Sequence, residues 1–75
     1  MAPPSPRFLL CVNNAAYPAS LEVRKVYPEV PDAAAAAKGF VRVIDESGED
    51  YLYPADHFVA VDLPQAVVDA LLAAS

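Results

Sequence analysis

Tryptophan is absent from this chain, cysteine and histidine occur once each, glycine twice, and no lysine or arginine follows Arg42. A single cysteine permits no internal disulfide. Cys11 lies inside Phe8-Leu9-Leu10-Cys11-Val12, where a thiol reads as a buried, inert side chain rather than a nucleophile. One Cys and one His leave no zinc-ligand spacing. Two glycines cannot build a glycine-rich phosphate loop, and no HExxH pair occurs. Long apolar runs are missing as well. The longest early one is the stretch from Phe8 to Val12, too short for a signal-peptide core or a membrane span. The expectation is a cytoplasmic protein without a cofactor.

The missing late cations divide the chain electrically. Residues 1–42 carry a net charge of +2 and residues 43–75 carry −7, for a total of −5. A phosphate backbone would be repelled by most of such a surface, and five dispersed cations release few counterions. Neither nucleic acid nor an anionic membrane is expected as a partner. At 75 residues, 56% of them hydrophobic, the chain makes one domain near the lower size limit for an unaided core. Residues 1–6, with three prolines and no pattern, are expected as a disordered tail before a domain covering 7–75.

What is present reads mainly as short strands. Phe8 to Val12, bounded by Asn13-Asn14, suits a strand buried on both faces. Leu21-Glu22-Val23-Arg24 alternates as a half-buried strand should. The alternation slips at Lys25-Val26-Tyr27, which suggests a bulge, and Pro28 places that segment at an edge or an end. Asp32, five alanines, Lys38 and Gly39 spell a capped short helix at about 32–38. Phe40 to Ile44 and Tyr51 to Tyr53 read as paired strands around Ser47-Gly48, followed by a tight turn at Pro54 and a last strand from Phe58 to Val61. Asp62 and Pro64 then start a C-terminal helix, about 63–74, with an apolar stripe of Val67, Val68, Leu71 and Leu72.

The acidic run between the paired strands invites a cation-site reading. A calcium loop starting at Asp45 would take Asp45, Ser47, Glu49 and Asp56, but Asp50 occupies the glycine position and strands rather than helices flank the segment. A solvated hairpin tip, which blunts edge-to-edge aggregation, accounts for the charges. The alternative is a divalent-metal or enzymatic site built from Asp45, Glu49, Asp50, Asp56 and His57.

Tyr51-Leu52-Tyr53-Pro54-Ala55-Asp56-His57-Phe58-Val59, following Arg42-Val43-Ile44 and the turn at Glu46 to Glu49, resembles the end of a Src-homology-3 domain. That family runs a strand, a distal hairpin and a Gly-Tyr-Ile/Val-Pro-Ser-Asn-Tyr-Val segment in succession. The resemblance implies a small five-stranded, partly open β-barrel with a single 3₁₀ turn at the proline. It also implies Tyr53, Pro54 and Phe58 as surface aromatic and proline groups. The polyproline-binding tryptophan and the aromatic-acidic motif after the first strand have no counterparts here. The chain is similar as well to small bacterial proteins with such barrels, a likeness that brings no activity with it.

The functional expectation is therefore a non-enzymatic protein-interaction module. Its candidate partner surface is Tyr17, Tyr51, Tyr53, Pro54 and Phe58, because exposed tyrosine and proline favour recognition. Val67, Val68, Leu71 and Leu72 are candidates for self-association. Strand alternation puts Tyr51 and Tyr53 on one side and Leu52 on the other, so a buried Leu52 would leave the tyrosines outside.

Overall fold

The computed structural model describes residues 7–74, so the expected tail at 1–6 lies outside the described residues. The elements are β1 (Phe8–Cys11), β2 (Val26–Val30), α1 (Ala33–Ala37), β3 (Phe40–Ile44), β4 (Asp50–Pro54), a 3₁₀ turn (Ala55–His57), β5 (Phe58–Val61) and α2 (Gln65–Ala74). The strands form one antiparallel sheet in the order β4-β3-β2-β1-β5. Among the described residues no helix is long and apolar enough to cross a membrane.

Strand β2 serves two ladders in turn. Val26 to Pro28 pair with β1, and Glu29 and Val30 pair with β3, which folds the sheet into two halves. Pro28 fits this central position for a geometric reason. Cys11 bonds to Lys25 and Glu29 to Arg7 through backbone groups, both at 2.8 Å. Antiparallel pairs alternate, so Phe8 and Pro28 form a non-hydrogen-bonded pair and no ladder bond to β1 is lost.

The strand expected at Leu21–Arg24 does not form. Lys25 N–H closes a turn on the Glu22 carbonyl at 3.3 Å. Arg24 adopts φ +71°, the left-handed region that glycine prefers. Arg24 N–H donates to Cys11 O and Cys11 N–H to Lys25 O, so two residues oppose one and the bulge falls at Arg24–Lys25, a little before the expected place. The apparent alternation had one buried member, Leu21, which reaches the core from the loop.

The sheet is not closed into a barrel. Strands β4 and β5 are its two edges. The 3₁₀ turn carries the chain from β4 across to the far edge, where β5 pairs with β1 from Phe8↔Val61 to Cys11↔Phe58. The outer edge of β4 is poorly suited to closure. Asp45 and Ala55 both donate across the hairpin, to Glu49 and Gly39, so Pro54 stands at an outward-facing position, where it offers no N–H.

Helix α1 follows its local signals. The Asp32 carboxylate accepts Ala35 N–H at 3.0 Å, Lys38 ends the helix and Gly39 takes φ +81°. Asp32 also receives Arg42 Nε at 3.0 Å, which ties the helix to β3. Helix α2 begins one residue beyond Pro64, whose carbonyl accepts from Val67 and Val68.

The core joins Leu9, Cys11, Leu21, Tyr27, Val43, Tyr53 and Phe58, with Val41 packed against it. On the other face of β1, buried Phe8 shares a hollow of about 250 Å³ with Val68 of α2. Strand β1 is thus covered on both faces, as its continuous apolar run implies.

Candidate functional site

The β3–β4 hairpin is built by its sequence. Gly48 N–H donates to Asp45 O at 3.0 Å and Asp45 N–H to Glu49 O at 3.1 Å, closing a three-residue loop with Gly48 at φ +83°. Such loops want a left-handed residue last, and an aspartate first whose side chain bonds two residues on. Asp45 does so: its Oδ1 accepts Ser47 N–H at 2.8 Å and Ser47 Oγ–H at 2.5 Å.

This aspartate is not at a solvated tip. It has the parity of Val41 and Val43, points inward and is only 6% exposed. Its second oxygen accepts the Tyr53 hydroxyl at 2.5 Å. Burial alone would raise the Asp45 pKa, but the bonds from Ser47 and Tyr53 outweigh it and hold the carboxyl below its usual range. Burial, then the Asp45 carboxylate, pushes Tyr53 up to about 12. The pair is a carboxylate that accepts a hydrogen bond from a neutral phenol.

A second pair pins the loop before β2 to the hairpin. Glu46 Oε2 accepts both the Tyr27 hydroxyl and Lys25 Nζ at 2.5 Å, and Tyr27 oxygen accepts Glu22 N–H at 2.8 Å. Lys25, then Tyr27, lowers the Glu46 pKa; burial, then Glu46, raises that of Tyr27. Glu46 N–H also donates to Ser20 O at 3.0 Å.

Between this hairpin and the loop after β1 opens a hollow of about 360 Å³, lined by Tyr17, Ser20, Asp45, Ser47, Tyr51, Leu52 and Tyr53. Tyr17 stands edge-on to Tyr53, ring centres 4.9 Å apart at 87°, and 5.9 Å from the His57 ring. Tyr51, 49% exposed, donates its hydroxyl to Glu49 at 2.9 Å.

The expected partner surface is thereby redistributed. Tyr17 and Tyr51 are exposed and line the hollow, while Tyr53 is its buried floor. Phe58 is no surface group: it is buried in the core, its ring 6.2 Å from that of Tyr53. Pro54 is half-buried at the sheet edge. Leu52 is exposed, and β4 is uncovered on that side, so alternation turns Tyr53 inward. On α2, Val68 is buried while Val67, Leu71 and Leu72 are exposed.

The acids do not converge. Asp50 pairs with Arg42 at 3.1 Å, Glu49 receives Tyr51, and Asp56 meets His57 Nδ1 at 2.8 Å on the 3₁₀ turn. Among the described residues no group of three or more His, Cys, Asp and Glu is placed to hold a metal ion. Sequence does not single out Ser20 of the hollow, and it reads Ser47 only as a turn or rejected calcium-loop residue and Leu52 only as a marker of strand side, neither as part of a partner surface. For Ser47 a signal existed, the Asp-x-Ser-Gly turn itself. Comparison with protein-family models, curated proteins and solved structures finds no match to this chain.

Proposed function

We propose that this protein is a non-enzymatic interaction module of Src-homology-3-like type, its sheet left open, which seats a partner segment in the hollow of Tyr17 and Tyr51. The strand order, the strand shared between two half-sheets and the 3₁₀ turn between the last two strands support the fold reading. The observation that carries the functional reading is the pairing of two exposed tyrosines from separate elements over a floor locked by the Tyr53–Asp45 bond. A rigid floor with amphipathic aromatic walls binds at low entropic cost.

Selection of displayed random peptides on the immobilised protein tests it. Sequences enriched on the wild type should be lost on Tyr17→Ala and Tyr51→Ala, with far-UV circular dichroism unchanged. Enrichment that is indifferent to both substitutions would sink this assignment of the site.

A second reading concerns α2, which buries Val68 while Val67 and Leu71 stay exposed at 42% and 37%. We propose that a two-fold pairing of this helix covers them. Light scattering over a wide concentration range should then show a dimer that Leu71→Asp dissociates without unfolding the sheet. A monomer at every concentration refutes it.

A further inference from the structure

Resting on the interaction reading above, we infer that the partner group seated in the hollow is an arginine side chain on an extended protein segment. The argument begins with hydrogen-bond supply. Tyr53 and Ser47 donate their hydroxyl protons to Asp45, and Tyr51 donates its own to Glu49. Ser20 is hydrogen-bonded to Tyr53 as well. These side chains have spent their donors and keep acceptor lone pairs, and the hollow is acceptor-rich.

No lysine or arginine lines it. Two of the cations are held by carboxylates outside it: Lys25 by Glu46 at 2.5 Å, Arg42 by Asp32 and Asp50 at 3.0 and 3.1 Å. An anionic ligand would therefore find no counter-charge among the lining side chains, whose one carboxylate, Asp45, already holds three donors. A guanidinium brings five N–H donors, no acceptor and a permanent positive charge, the complement of this supply. A guanidinium plane stacks on tyrosine rings, and Tyr17 and Tyr51 both line the hollow, while Glu49, bonded to the Tyr51 hydroxyl, accepts a charge-assisted bond. A lysine ammonium satisfies the charge without the stacking.

The test uses amide and aromatic NMR shifts of the full chain against three short peptides, identical except for a central arginine, citrulline or lysine. The expected result is saturable shifts at Tyr17, Ser47, Tyr51 and Tyr53 with the arginine peptide and weaker binding of the other two. Tyr51→Ala and Glu49→Gln, both surface changes, should each weaken the arginine peptide about two- to five-fold. Raised salt should weaken it further. Equal binding of arginine and citrulline, equal binding of arginine and lysine, or no shift at these residues overturns the inference. If the arginine peptide fails while displayed peptides still need Tyr17 and Tyr51, the interaction reading stands and only the arginine assignment falls.

Discussion

Asp45 is the residue on which the hairpin, the core and the hollow all depend. Three donors point at its carboxylate from two residues, and almost none of it is wet. Replacing it by alanine orphans the buried Tyr53 hydroxyl and the Ser47 N–H. Asp45→Ala should cost about 2–3 kcal/mol, since bonds to charged groups run near 1.5–3 each, and Tyr53→Phe should cost less because Ser47 still satisfies the carboxylate. Urea denaturation of both variants decides; an Asp45→Ala midpoint equal to wild type would mean that the carboxylate is solvated after all. Arg24 is the opposite case, a residue at odds with its backbone. At φ +71° its Cβ crowds the following carbonyl oxygen. Arg24→Gly should stabilise the fold by about 1 kcal/mol, read as a rise of roughly 4–8 °C in Tm for a domain of this size. A fall in Tm would show that the arginine side chain contributes more than its backbone strain costs.

At the scale of elements, the strands and α2 differ in how they are held. Strands β1 and β3 contribute Leu9, Cys11 and Val43 to one core, whereas α2 buries Val68 alone. Isolated ten-residue helices are marginal in water, so a helix with one buried residue should open separately from the sheet. Amide hydrogen exchange should find α2 well less protected than β1 and β3. Equal protection would mean that the helix opens only with the whole fold, and that something else, such as a second copy, holds it. The hairpin is more secure, because its turn is closed by backbone bonds, by Gly48 and by the Asp45 side chain together.

At the scale of the whole molecule, pH should act through the buried phenols. The folded Tyr53 pKa, about 12, lies above its ordinary 10, so the folded state holds its proton more tightly than the unfolded chain does. Stability from this source is complete below pH 10 and is lost as pH rises towards about 12. Tyr27, also raised, acts in the same direction. On the acid side the sign reverses: Asp45 and Glu46, both held below their usual values, lose their contribution as pH falls through their folded pKa values. Urea midpoints followed through the alkaline window should fall, and the fall should shrink in Tyr53→Phe. A fall of unchanged size in that variant would remove Tyr53 as its source.

The sequence alone determined the parts whose cause lies within a few residues. Asp32 and Gly39 bound α1, Ser47-Gly48 turns the hairpin, and the Phe8 run buries both faces of β1, because caps, positive-φ sites and apolar runs need no distant partner. Tertiary structure decided the rest. The strand at Leu21–Arg24 yielded to a turn because Cys11 bonds to both Arg24 and Lys25, a pairing that local alternation does not report. Asp45 went inward because Tyr53 and Ser47 supply donors there, and charge by itself suggested the surface. Tyr53 and Phe58 became core, with Leu52 outside, because alternation places two residues on one face without saying which face is covered. The sheet stayed open because β5 reached β1 while β4 ended at an edge where Pro54 offers no N–H.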